Sequence, residues 1–168
     1  MDPSLNVLVA EDDENDAFLL QRAFHAVGMK HPLHIVHDGA DAIDYLSGRG
    51  AFADRSVHPP ANYVIVDLKM PRVDGFGVLE YLQKHAELLV IPTLVWSSST
   101  DVRDVKRAYC LGANGYLQKP SNFEQLREMV ETVVRYWTLC QVPTVETPPY
   151  CEELKDKQPF CGTTGWRG

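Results

Sequence analysis

The chain has 168 residues, of which 45% are hydrophobic and 23% charged, with a formal net charge of −7. That length suits one domain with a short appendage, and a domain near this size buries roughly 68–70% of its unfolded surface, enough for a core without staples. The acidic balance argues against nucleic-acid or anionic-membrane partners. Met1-Asp2-Pro3 does not open a secretory signal, and no apolar run approaches the ~20 residues of a membrane span, so a cytoplasmic location is expected.

Residues 1–4 read as a leader. The first strand is expected over 6–10, ending in Val7-Leu8-Val9-Ala10, with the acidic triplet Glu11-Asp12-Asp13 directly after it. In 14–27, Ala17, Leu20, Phe24 and Val27 recur at 3-4-3 spacing and Gly28 supplies a stop, which predicts a helix. His34-Ile35-Val36-His37 is a shorter strand candidate, and Ile43 and Leu46 mark an apolar helical face over 39–48. Residues 48–62 form a long connection of a length that is uncommon and often functional.

The next strand, 63–67, ends in Asp67, and a turn containing Pro71 and Gly75 follows it. Helices are expected over 75–85, over 101–111 with Asp101 as N-cap, and over 122–138 with Asn122 opening it. The last carries Phe123, Leu126, Val130, Val133 and Trp137. Strands are expected over 92–96 and 114–118, with Lys119-Pro120 beyond the second. From about 139 to 168 the tail has scattered Pro and Gly and no sustained period, so little independent structure is expected. The cysteines, Cys110, Cys140, Cys151 and Cys161, form no CxxC pair; free thiols are expected, with a tail disulfide as the alternative.

Strands alternating with helices imply βαβ units. The expected fold is a flavodoxin-like, doubly wound α/β sheet of five parallel strands in order 2-1-3-4-5, with five helices. Strands 1 and 3 would then be neighbours at the switch point where such sheets bind ligands. Carboxylates from two strand ends and a lysine from a third would meet there, which points to a divalent metal and a phosphoryl group.

Val9-Ala10-Glu11-Asp12-Asp13, Asp67 through Gly75, Pro92 through Ser97 and Gly112 through Pro120 occur in the order found in the receiver domains of two-component response regulators. The chain resembles that family over 5–138. Ala42-Ile43-Asp44-Tyr45-Leu46, Gly48-Arg49-Gly50, Phe52 and Tyr136-Trp137 resemble its single-domain members associated with phytochromes. The resemblance implies Asp67 as phosphoacceptor for a sensor histidine kinase of the phytochrome-like kind. It implies Mg²⁺, replaceable by Mn²⁺ or Ca²⁺, on Asp12, Asp67, the Lys69 carbonyl and, through water, Glu11. It further implies Lys119 and Ser97 on the phosphoryl oxygens, Tyr116 as the aromatic switch, and a cis Lys119–Pro120 bond.

No output domain is expected after the last helix, so signalling would run through protein contact or phosphorelay. Tyr136 and Trp137 are candidates for a homodimer surface in the helix 4–strand 5–helix 5 region. The chain is expected to be no enzyme beyond catalysing its own phosphorylation and dephosphorylation. The alternative is a pseudo-receiver, an interaction module that takes no phosphate. A hydrolase of the haloacid-dehalogenase kind needs a second Asp two residues after its nucleophile, where this chain has Lys69.

Overall fold

The structure, a computed structural model, describes residues 5–30 and 33–141. The leader 1–4 and most of the tail, with Cys151 and Cys161, lie outside the described residues; Cys110 and Cys140 are free thiols. The elements run β1 (Val7–Ala10), α1 (Glu14–Ala26), β2 (His34–Val36), α2 (Gly39–Ser47), β3 (Tyr63–Val66), α3 (Gly75–Lys84), β4 (Thr93–Ser97), α4 (Val102–Cys110), β5 (Gly115–Gln118) and α5 (Phe123–Leu139). The five strands are parallel in the order β2-β1-β3-β4-β5.

Alternation along the strands divides the core into two layers. Leu8, Ala10, Val64, Val66 and Val95 face Tyr45 and Leu46 of α2, Phe76, Leu79 and Leu82 of α3 and Ala108 of α4. Val7, Val9, Tyr63, Ile65 and Trp96 face Leu20 and Phe24 of α1 and Leu126, Val130 and Trp137 of α5. β1 and β3 are buried at every position, as expected of central strands covered on both faces. Each fully buried Val or Leu contributes on the order of 1.5–3 kcal/mol.

The helices start where a short polar side chain can satisfy their first free N–H groups. Asp13 accepts from Asn15 and Asp16, Asp38 from Asp41, Asp74 from Gly77, Asp101 from Arg103 and Asn122 from Gln125.

The 48–62 connection contains a short 3₁₀ helix, Gly50–Phe52, and is anchored to α2. Arg55 donates to the Tyr45 and Leu46 carbonyls at 2.8 and 3.1 Å, and Tyr45 donates to the Pro59 carbonyl at 2.8 Å. Two expectations need correction. Trp137 is not a surface residue: it is 1% exposed and stacks on Tyr63 with ring centroids 4.2 Å apart. Its place in the 3-4-3-4 apolar stripe of α5 puts it in the core, whereas Tyr136 is 64% exposed. Finally, no peptide bond among the described residues is cis, so Lys119–Pro120 is trans, the isomer that X–Pro bonds ordinarily prefer.

Candidate functional site

Parallel pairing aligns the carboxyl ends of β1, β3, β4 and β5. Asp67 N–H donates to the Ala10 carbonyl at 2.9 Å, and Lys119 N–H to the Ser97 carbonyl at 2.9 Å. Residues just past each strand therefore converge on one crevice. Glu11 (0% exposed) and Asp67 (5%) are buried there, while Asp12 is exposed at its mouth. One carboxylate oxygen from each of the three lies within 4.8 Å of the others.

Gly75 lets the Asp67 loop close. A Cβ on Gly75 would sit 2.1 Å from the Asp67 carbonyl oxygen and 2.8 Å from Leu68 Cα, both backbone atoms that cannot yield. The Gly75 N–H instead donates to the Leu68 carbonyl at 3.1 Å, turning the chain directly into α3.

Lys119 Nζ sits among three carboxylates: Glu11 Oε2 at 2.7 Å, Asp16 Oδ2 at 2.8 Å and Asp67 Oδ2 at 2.9 Å. It also lies 4.8 Å from the centre of the Trp96 ring. Burial works against the ammonium, but its hydrogen bonds to the acidic neighbours outweigh that and hold its pKa above the ordinary lysine value. Burial also pushes Glu11 up to about 7, with Lys119 only partly offsetting it. Glu11 Oε1 accepts from Asp13 N–H at 3.1 Å. Oε2 faces Lys119 Nζ at 2.7 Å, so the ammonium is shared between this buried carboxylate and its two acidic neighbours. Three carboxylates converging on one crevice, two of them buried, are a donor set of the hard, oxygen-only kind that Mg²⁺ takes.

Ser97 is fully buried at the end of β4, with Ser99 N–H 3.4 Å from its Oγ. Tyr116 is half-buried and donates to the Ser99 carbonyl at 3.0 Å; Ser99 Oγ in turn donates to Asp104 at 2.6 Å. Lys69 is exposed, and its N–H lies 3.4 Å from Asp67 Oδ1. Glu11, Asp67 and Lys119 thus meet directly, Asp12 stands at the rim, and Ser97 at the end of β4 and Tyr116 on β5 both contact Ser99 of the β4–α4 loop.

Asp16 is the site residue that sequence reasoning missed. Its signal was its place four residues after Asp12, in the first turn of α1. Asp16, Trp96, Lys119 and Phe123 also line a cavity of about 180 Å³ beside the crevice.

The family model "Response regulator receiver domain" matches residues 7–131. The chain belongs to the receiver-domain family of two-component response regulators, a family of phosphoacceptor switches. Glu11, Asp12 and Asp67 form the acidic pocket in which receiver domains bind Mg²⁺.

Among its relatives is the probable methanogenesis regulatory protein FilR2 of Methanothrix harundinacea, 37% identical over 78% of this chain and 82% of FilR2. Response regulator Rcp1 of Synechocystis is 31% identical over 80% of this chain and 90% of Rcp1. The solved Mn²⁺-bound form of Rcp1 superposes with a TM-score of 0.74 at 30% identity, over 82% of this chain and 98% of that one. The phosphorylated cyanobacterial phytochrome response regulator RcpA superposes with a TM-score of 0.76 at 28% identity, over 83% of this chain and 98% of RcpA. The chain is therefore similar to phytochrome-associated response regulators. Among the described residues no helix is long and apolar enough to cross a membrane.

Proposed function

We propose that this chain is a stand-alone cytoplasmic response regulator whose Asp67 takes a phosphoryl group from a phosphohistidine on a sensor histidine kinase. The observation that carries this reading is the ion pair of Lys119 with Asp67 in the crevice shared with Glu11 and Asp12. A carboxylate oxygen of Asp67 forms the new P–O bond as the P–N bond to the kinase histidine breaks. The departing imidazole keeps the electron pair and takes a proton from solvent. Water later cleaves the acyl phosphate, so the chain catalyses only its own phosphorylation and dephosphorylation.

Asp12, Asp67, the Lys69 carbonyl and, through water, Glu11 would hold Mg²⁺, with Mn²⁺ or Ca²⁺ as substitutes. When bound, the ion neutralises charge on the transferring phosphoryl oxygens. Lys119 now holds Asp67 Oδ2; on phosphorylation its ammonium turns to a phosphoryl oxygen as a compact point charge. Ser97 donates its hydroxyl to another. Because Tyr116 is bonded to the Ser99 carbonyl, a shift of Ser97 pulls on the same short loop that holds the tyrosine. Rotation of Tyr116 then repacks the α4–β5–α5 face.

The likeness to RcpA and Rcp1 favours a phytochrome-like kinase as donor. Val102, Tyr109, Tyr136 and Leu139, all exposed on α4 and α5, suit a homodimer contact. Output runs through that contact, through another protein or by phosphorelay, with no nucleic acid. Incubation with acetyl phosphate and Mg²⁺, then borohydride reduction and peptide mapping, tests the reading: the modification should fall on Asp67, and a map placing it elsewhere would refute the assignment.

A further inference from the structure

The β3–α3 loop is tied to a neighbouring loop that supplies none of the carboxylates of the site. Arg72 reaches out from it: Nε donates to Asp38 Oδ2 at 2.7 Å, Nη2 pairs with the same oxygen, and Nη2 also donates to Asp41 at 3.0 Å. Asp38 is 6% exposed, and its other oxygen caps α2 at Asp41 N–H, 2.9 Å away. Next to it, Gly39 N–H donates to the Val73 carbonyl at 3.0 Å, an approach so close that a Cβ on Gly39 would lie 2.3 Å from that oxygen.

The same short segment also touches the β1–α1 loop. Glu11 N–H donates to the Val36 carbonyl at 3.0 Å, and His37 Nδ1 lies 3.1 Å from the Glu11 carbonyl. A carbonyl only accepts, so Nδ1 carries the proton in that contact. Residues 36–39 therefore bridge the loop that presents Glu11 and Asp12 to the loop that presents Asp67 and Lys69.

Arg72 is the one non-glycine residue with positive φ (58°) among those described. Such a conformation persists only where the surroundings over-determine it, and it clusters at functional sites. An ion pair in solvent is too weak to impose it. Here the carboxylate is buried and both its oxygens are engaged, while the guanidinium, 60% exposed, lies over it.

We infer that Asp38 and Arg72 are positioning residues for the metal site: they hold the β3–α3 loop, with Asp67 and the Lys69 carbonyl, at the spacing from Glu11 and Asp12 that a divalent cation needs. This rests on the Mg²⁺ reading given above. Mg²⁺ demands near-ideal octahedral geometry, and loss of outer partners that orient its ligands lowers metal affinity about 10–100-fold.

Two variants remove the contact without removing the fold. Asp38→Asn keeps the cap, since Asn caps as well as Asp, and deletes the charge. Arg72→Gly deletes the guanidinium and relieves the left-handed backbone. Isothermal titration with Mg²⁺ should show the Kd of each weakened about tenfold or more, and the double variant no weaker than the weaker single, as one shared contact requires. Thermal melts in EDTA establish that the variants are folded during the titration. Folded variants with the wild-type Mg²⁺ Kd would overturn the inference, whatever their melting temperature. Wild-type protein that takes up no Mg²⁺ would overturn the metal reading itself, and this inference with it.

Discussion

Lys119 Nζ lies 2.9 Å from Asp67 Oδ2, joining the ends of β5 and β3 across 52 residues of sequence. Both side chains are nearly enclosed, 13% and 7% exposed, and Glu11 and Asp16 share the same ammonium. Removing one member of a buried pair leaves charge uncompensated, typically at about 3–5 kcal/mol. Lys119→Met should therefore destabilise the metal-free protein by about 3 kcal/mol, toward the low end because Glu11 can take up a proton. Urea denaturation with and without Mg²⁺ measures this, and Mg²⁺ should recover part of the loss. The variant should also uncouple phosphorylation from the Tyr116 face; phospho-dependent repacking equal to wild type would refute that role.

Gly75 permits the close turn behind Asp67. Gly75→Ala places a methyl group 2.1 Å from the Asp67 carbonyl oxygen, so the loop has to move. Adduct formation from acetyl phosphate should slow at least about tenfold, since misplacement by 1 Å can cost about 100-fold. Single-turnover mass spectrometry reads the rate, and an unchanged rate would show that the loop tolerates the shift.

Asp38 carries a pH dependence. Burial acts to raise its pKa, but the Asp41 N–H and the Arg72 guanidinium outweigh burial and hold it below the ordinary carboxylate value. A carboxyl whose folded pKa is depressed stabilises the fold above its unfolded pKa, near 4, and loses that contribution as pH falls through the folded value. Melting temperature should therefore fall less steeply below about pH 4 in Asp38→Asn than in wild type. Parallel melting curves down to pH 2 would contradict the assignment.

Neighbouring aromatic residues on α5 should behave oppositely. Trp137 is buried against Tyr63, whose hydroxyl donates to the Trp137 carbonyl at 3.1 Å. Trp137→Ala should cost about 3–5 kcal/mol of stability. Tyr136→Ala, on the exposed side, should stay within about 0.5 kcal/mol, as surface substitutions usually do. If α5 forms the homodimer contact, Tyr136→Ala should instead weaken self-association in sedimentation equilibrium.

The sheet and helices were legible because each apolar pattern matches one element: continuous apolar runs of strand length in Val7–Ala10 and Tyr63–Val66, and a 3-4-3-4 stripe in Phe123, Leu126, Val130, Val133 and Trp137. That stripe already placed Trp137 in the core, against its reading as a surface aromatic. Glu11, Asp12, Asp67 and Lys119 were legible because they sit just past strands whose parallel order aligns their ends. Asp16 and the Arg72–Asp38 pair were not: Asp16 carried only its place in the first turn of α1, and the partners lie far off in sequence, Lys119 103 residues from Asp16 and Asp38 34 residues from Arg72. Arg55 was missed for the same reason, since its partners are the last carbonyls of α2.

Intact-protein mass after incubation with acetyl phosphate and Mg²⁺, wild type beside Asp67→Asn, tests Asp67 as the phosphoacceptor. Wild type should gain one phosphoryl adduct, lose it with EDTA, and the variant should gain none. An equal adduct on Asp67→Asn would contradict the assignment of the acceptor. No adduct on wild type, with acetyl phosphate or with a phosphorylated histidine kinase as donor, would contradict the switch itself and leave an interaction module that takes no phosphate.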